Sequence, residues 1–453
     1  MNRLYSIYDR ADPQSFELLQ DSISLKKKDI DPIIDELEST LQLIIPDFSL
    51  KRVYIDIQDR LLFIILLLTL KKLDASVILI PIEIKPDVFF ESEIIYITDN
   101  KKHPEALMIN NKFEIITGDN FNKNNLRNFE NRYDILLYTS GSTGKSKLIG
   151  KNASNIITEV MELYRLFKPL KKDLFYITPP LYHIYGFLFG LMLPLYSSSV
   201  IDLTYHFTPE SVAEYVKEKK VDFFVSIPSY YKMLEELHLQ HFFKKAKKLF
   251  SSSAPLPLDI SDSFYNKSVS ITEVYGSTET GGIAYRVSAE TIQWQLFSYV
   301  KIHGHSLNNE VELIIDSPAI SVDYDKEMGF NTGDVVNFNT DNNFVLLGRN
   351  TKFVKIHGKR VDLGFVLSRF RDYIKNTYSI NILEDQVFAG LKDDKIYIIS
   401  EGNVFEDPRK LIEDLRAFLP GYAVPRYIIF NSIPRNEMGK INKQKIDELI
   451  KGL

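Results

Sequence analysis

Apolar runs of two lengths alternate along the first half of the chain, and their spacing predicts which become strands and which helices. Arg52 to Ile57 reads as a strand, Asp59 to Leu73 as an apolar helix, Ser76 to Ile82 as a second strand and Glu93 to Thr98 as a third. These strands are apolar almost throughout rather than alternating, which predicts a parallel sheet covered on both faces. Asp134 to Tyr138 predicts a further strand, and Asn155 to Leu166 a helix beyond the loop that follows it. The rhythm repeats from Leu174 to Phe224. There a strand leads to a helix around Phe187 to Leu195, a strand at Val200 to Leu203, a helix over Pro209 to Lys219 and a strand at Asp222 to Val225. The fold class is α/β, with two packed α/β subdomains.

From Gln293 the pattern changes to short β-rich runs such as Val311 to Ile315 and Asn343 to Leu347. After Arg349 a separate α+β unit is expected, giving a division into residues 1–349 and 350–453. Gln386 to Leu391 and Lys395 to Ser400 form a hairpin around Lys392, Asp393 and Asp394. Asp407 is a good N-cap, with Pro408 at the first helical position and Leu411, Leu415, Phe418 and Leu419 on the apolar face. Lys244 to Lys248 reads as a solvated basic turn.

Composition narrows the function classes. A chain of 453 residues, 45% hydrophobic and 25% charged, can bury large cores in more than one domain. A net charge of -5 leaves no footprint for nucleic acid or acidic membrane. With no cysteine, disulfides, thiolate metal sites and a Cys nucleophile are excluded, so any thioester must form on a partner's thiol. Leu61 to Leu70 is apolar apart from Thr69 but too short to span a bilayer. The N-terminus carries Arg3, Asp9, Arg10 and Asp12 without an apolar core, so no signal peptide is expected and the expected compartment is the cytoplasm.

Tyr138 to Lys147 carries the first candidate chemistry. Gly141 and Gly144 allow close approach of backbone to phosphate oxygens. Ser140, Ser142 and Thr143 add hydroxyls after Thr139, and Lys145 and Lys147 add positive charge. A Walker A loop needs a glycine where Thr139 stands, which disfavours P-loop phosphoryl transfer.

The run resembles the signature loop of the adenylate-forming superfamily of acyl-CoA synthetases, aryl-CoA ligases, adenylation domains and luciferases. It departs from that family's pattern at Ser146 and Leu148. Val274 to Gly282 resembles the family's second motif, Thr332-Gly333-Asp334 with Gly348-Arg349 its ribose-binding pair, and Pro434 to Ile441 its catalytic-lysine loop. The resemblance runs from about Val53 to the end. It implies a small β-barrel, here trimmed, within a large N-terminal domain, and a small mobile α+β C-terminal domain.

Activating a carboxylate requires turning oxide into a good leaving group, which attack on the α-phosphate of ATP achieves by forming an acyl adenylate. The step needs charge stabilisation, an anchored nucleoside and a positioned carboxylate. The resemblance implies ATP and Mg2+, with Thr143 and Glu279 near the metal, since hard cations take oxygen ligands. Tyr275 would stack on adenine beside the backbone of Glu273, Val274 and Gly276, with Ser277 and Thr278 following. Ser253, Ala254 and Pro255 would form the opposite wall. Asp334 would accept from the ribose hydroxyls, with Arg349 as a cationic donor. Lys440 would bridge the carboxylate and α-phosphate oxygens, with Ile441 anchoring its loop, and Lys355 would serve thioester formation. The hinge position falls on Thr351, next to Lys352, and the segment Gly364 to Val366 departs from the family pattern.

Leu181 to Gly186 resembles an acyl-CoA ligase segment that places His183 beside the nascent adenylate. No second ligand at suitable spacing supports zinc there. Tyr185, Ser226, Ser229, Tyr230 and Ser252 would line the acyl pocket. The stretch 182–192 lacks the carboxylate that would pair with an amino acid's ammonium, so an acid without an α-amine is expected. A medium or long fatty acid comes first and an aryl or arylacrylic acid second. The acceptor is coenzyme A or the pantetheine of an acyl carrier protein. A non-thiol acceptor and a catalytically silent binding relative are the alternatives.

Overall fold

The computed structural model describes residues 3–81, 94–99, 106–129, 133–139, 147–303, 310–324, 329–340, 342–349, 353–356, 359–380, 382–383, 386–401, 407–435 and 441–451. The chain divides into two compact units, residues 1–303 with 315–330, and residues 304–314 with 331–453.

In the first unit the long apolar runs become a mixed sheet in the order Ile115–Thr117, Leu107–Ile109, Ile95–Thr98, Arg52–Asp56, Ser76–Leu79, Ile135–Thr139, Lys147–Lys151. The inner pairings are parallel and both edge pairings antiparallel. The helix Arg60–Lys72 starts where Asp59 accepts from the Leu62 N–H and is buried from Leu61 to Lys71. Thr69 fits an apolar helix because its hydroxyl donates to the Ile65 carbonyl at 2.9 Å. Lys71, also buried, reaches the Ala75 carbonyl at 2.7 Å and Asp134 Oδ1 at 2.9 Å. Asp134 in turn accepts from the Ala153 N–H at 2.7 Å. The strand Ile135–Thr139 is therefore fixed at its start by an ion pair with a buried lysine.

A second sheet runs Gln293–Leu296, Gly281–Arg286, Ile271–Ser277, Lys248–Ser251, Phe223–Ser226, Leu174–Ile177, Val200–Asp202, Glu17–Gln20, Ile23–Lys26. From Ile271–Ser277 to Glu17–Gln20 the pairings are parallel, so these strands end along one edge, where ligands of α/β sheets bind. Its core includes Tyr176, Val212, Phe224, Tyr231 and Phe264.

The helix Pro209–Lys219 coincides with its expected bounds, started by Thr208, which accepts from the Ser211 N–H. Three local readings need correction. Between the phosphate loop and the helix Ala153–Phe167 lies the strand Lys147–Lys151, which closes a hairpin on Ile135–Thr139. Lys247 is not simply solvated but pairs with Asp173 and Asp222, because its turn packs against the start of the strand Leu174–Ile177. Phe418 is 55% exposed, since its helix ends at Leu415.

The second unit contains the hairpin Phe330–Thr340 with Asn343–Arg349, the hairpin Phe353–Ile356 with Lys359–Asp362, and the helix Leu363–Tyr378. A sheet of Val387–Lys392, Lys395–Ser400 and Tyr427–Phe430 packs on a core of Phe370, Ile374, Ile398, Leu411 and Leu415. Asp407 caps the helix Pro408–Leu415 by accepting from the Arg409 N–H. Among the described residues no helix is long and apolar enough to cross a membrane.

Candidate active site

The phosphate-loop segment hangs from the hairpin just described, with Thr139 and Lys147 directly opposite each other at its mouth and the Lys147 side chain exposed. Ser140, Gly141, Ser142, Thr143, Gly144 and Lys145 lie outside the described residues.

The next candidate group is a turn joining Ile271–Ser277 to Gly281–Arg286. Thr280 Oγ1 accepts from the Ser277 N–H at 3.0 Å and donates to the Gly281 carbonyl at 2.8 Å, and Ser277 Oγ accepts from the Thr280 N–H at 3.2 Å. Glu279 and Thr278 are half-buried within it. The Glu279 carbonyl accepts from Lys151 Nζ at 3.1 Å and from the Ser321 N–H at 2.8 Å. Glu159 Oε2 accepts from the Gly282 N–H at 2.7 Å. Burial drives the Lys151 ammonium pKa down and the Glu159 carboxyl pKa up, each opposed by the other's charge. Replacing Thr280 by valine should cost about 1 to 2 kcal/mol, because it removes a buried hydroxyl that bonds both the Ser277 N–H and the Gly281 carbonyl. A shift in the denaturant midpoint at unchanged slope would report it.

Tyr275 precedes this turn, with Trp294 5.5 Å from its ring and Arg286 lying over Trp294 at 4.3 Å. The carboxylate of Glu273 is buried and occupied, accepting from Arg286 Nε at 2.9 Å and from the Leu256 N–H at 3.2 Å. Ser252 Oγ donates to the Val274 carbonyl at 2.8 Å. These bonds tie the segment Ser252 to Pro255 to the strand carrying Tyr275. Ser253 adopts φ 80°, a left-handed conformation that glycine takes more readily, and Ala254 and Pro255 follow at the surface.

The expected acyl-pocket residues gather at the ends of the parallel strands. Tyr185 is buried, and its hydroxyl donates to the Ser226 carbonyl at 3.0 Å. Ser226 Oγ lies 2.7 Å from Thr178 Oγ1. Ser229 is exposed, and Tyr230 has a buried hydroxyl with no hydrogen-bond partner among the described residues. His183 begins the helix at Ile184 and lies against Tyr182, ring centroids 4.9 Å apart. Arg60 joins this group from the first sheet's helix. Its guanidinium donates to the carbonyls of Ile177 at 3.0 Å and Thr178 at 3.4 Å, and it faces Tyr176, Tyr182 and Tyr205. Burial lowers its pKa, and no described carboxylate offsets that.

In the second unit, Asp334 and Arg349 are directly opposite across an antiparallel hairpin. Asp334 is buried, and its backbone N–H donates to Thr332 Oγ1 at 3.1 Å. Lys355 sits on Phe353–Ile356, opposite Arg360. Thr351, Lys352 and Lys440 lie outside the described residues. The flanks of Lys440's segment are held together, with Arg435 bridged to Ile441 and the Asn442 N–H donating to the Pro434 carbonyl at 2.7 Å. Ile441 packs against the cluster of Tyr397, Ile399, Ile433, Ile446 and Ile450.

A sequence model of the AMP-binding enzyme family matches residues 60–317, more than half of the chain. The chain belongs to that family. Among curated relatives, the mitochondrial malonate–CoA ligase of Homo sapiens is 25% identical over 380 residues, covering 70% of this chain and 66% of its own length. The oxalate–CoA ligase of Arabidopsis thaliana is 24% identical over 351 residues, covering 68% and 66%. The chain thus spans just under two thirds of the length of these relatives. ATP-bound MatB from Rhodopseudomonas palustris shares the fold, with TM-score 0.80 at 16% identity over 100% of this chain and 99% of that one.

In this AMP-binding enzyme, sequence reasoning missed Arg60, Trp294, Lys151 and Glu159. One signal was available for Arg60. A cation at the first position of a helix opposes the helix dipole, and a local rule broken in this way often marks a functional position. Among the described residues no three His, Cys, Asp or Glu side chains form a metal cage.

Proposed function

We propose that this AMP-binding enzyme is an AMP-forming ligase that joins a carboxylic acid to the thiol of coenzyme A in two half-reactions. The observation that carries the reading is the Glu279 turn, bound through Lys151 to the strand that leaves the phosphate loop. It ties the backbone of the residue that carries one hard carboxylate to the strand that follows, in sequence, a segment rich in hydroxyls. Mg2+, held there by Glu279 and Thr143, would neutralise phosphate charge.

In the first half-reaction the acid's carboxylate attacks the α-phosphate, and Lys440 stabilises the oxygens between which the bond forms. Tyr275 stacks on the adenine, and Asp334 with Arg349 binds the ribose. In the second, the thiol displaces AMP from the acyl carbon, with Lys355 serving that step and His183 lining the acyl side. Residues 1–349 carry the groups for nucleotide and acid, and residues 350–453 carry Lys355 and Lys440. The relatives' names favour coenzyme A over a carrier protein as acceptor.

For the acid we propose a short dicarboxylate. The fatty-acid expectation rested on the lack of charge in the contiguous pocket segments. Arg60 adds a cation beside Thr178 and Ser226 from a distant part of the chain. The named substrates of the relatives, malonate and oxalate, are dicarboxylates.

Pyrophosphate exchange with malonate, oxalate, succinate, octanoate, palmitate and 4-hydroxybenzoate, followed by assay of thioester formation, tests the reading. A dicarboxylate should exceed octanoate by about 100-fold, the loss typical when a buried charge goes unpaired. Faster exchange with octanoate or palmitate would restore the fatty-acid reading. Exchange without thioester would indicate a non-thiol acceptor, and no exchange with any acid a silent binding protein.

A further inference from the structure

We infer that Lys151 and Glu159 are positioning residues for Glu279, two buried charges of opposite sign that grip the metal-binding turn from either end. The inference rests on the metal role proposed above for Glu279. Lys151 is 0% exposed and Glu159 3% exposed, and neither belongs to the turn. Lys151 ends the strand that leaves the phosphate loop, and Glu159 lies on the following helix.

Each charge meets a matching backbone dipole. The ammonium donates to the Glu279 carbonyl at 3.1 Å and to the Ala319 carbonyl at 2.6 Å. The carboxylate accepts from the Gly282 N–H at 2.7 Å. Between these anchors Gly281 holds φ 69°, and a Cβ there would lie 2.2 Å from Glu159 Oε1. The carboxylate therefore occupies space that only glycine leaves open. Its Oε1 is buried, with no hydrogen-bond partner among the described residues.

The turn does not need these charges to form, because Ser277 and Thr280 already close it with hydrogen bonds. Residues 317–321 are also held without Lys151. Asn155 Nδ2 donates to the Pro318 carbonyl at 2.7 Å, and Ser321 Oγ to the Gly150 carbonyl at 2.7 Å. Burying two charges is costly, and apolar or neutral replacements of such pairs are often no less stable. What the pair adds is a fixed place for Glu279 relative to the phosphate-loop hairpin. Partners behind a metal ligand typically govern metal affinity by 10- to 100-fold when removed.

The test uses the full chain with Lys151→Met, the double variant Lys151→Met/Glu159→Gln, and Glu279→Gln as reference. Mn2+ affinity in the presence of ATP is read by electron paramagnetic resonance, beside the Mg2+ dependence of pyrophosphate exchange and thioester formation from supplied acyl adenylate. The double variant leaves neither charge buried alone and should melt near the parent. Both Lys151 variants should weaken Mn2+ binding and raise the Mg2+ requirement by about 10-fold or more, with the second half-reaction retained. If Glu279→Gln weakens metal binding and the double variant does not, the positioning role is overturned while the metal site stands. If Glu279→Gln itself leaves metal affinity unchanged, the metal reading fails first. Should the double variant fail to fold, or lose both half-reactions in proportion, the pair serves stability alone and the inference is overturned.

Discussion

Replacing Lys440 by alanine should lower pyrophosphate exchange by about 100- to 1000-fold, the usual effect of removing one donor that stabilises developing charge. Thioester formation from supplied acyl adenylate should stay near normal, because the P–O bond that Lys440 serves has already formed. This asymmetry separates a catalytic lysine from one that merely holds its loop. Ile441 and the Pro434 carbonyl already secure the flanks without the lysine side chain. Near-normal exchange in the variant would remove Lys440 from the mechanism.

The second large effect concerns Arg60. Arg60→Met keeps much of the side chain's length and apolar contact while removing the cation. Its kcat/KM for malonate should fall by about 100-fold, and that for octanoate should hold or rise. The fall should appear mainly in KM if the distal carboxylate is bound equally in ground and transition states. Parallel losses on both acids would make Arg60 a structural clamp on the Ile177 and Thr178 carbonyls, and would return the acid to the apolar class.

What was legible in the sequence depended on how locally each feature is determined. The helix Pro209–Lys219 and the hairpin Val387–Ser400 were readable because caps, turn residues and apolar spacing all lie within them. Asp334 and Arg349 could be paired from their motifs, and an antiparallel register sets them opposite. Arg60 was hidden because its partners, Ile177 and Thr178, are brought to it by sheet packing rather than by spacing. Lys151 and Glu159 were hidden for the same reason. Neither lies in a motif, and only the folding of the Glu279 turn over them gives them partners there. The strand Lys147–Lys151 was missed because the glycine- and serine-rich loop before it suggested a direct entry into a helix.

The strand Glu17–Gln20 pairs in parallel with Val200–Asp202 on one side and antiparallel with its own hairpin partner Ile23–Lys26 on the other. During synthesis its principal neighbour emerges roughly 180 residues later, a wait of roughly 10 to 40 s at ordinary translation rates. Until then one edge of that hairpin stays open, with Leu18 lacking the cover that later buries it completely. The second sheet's earliest strand therefore waits for a neighbour that is made only after every strand of the first sheet has emerged. During that interval the open edge of the hairpin can mispair, and a chaperone that covers it has something to protect.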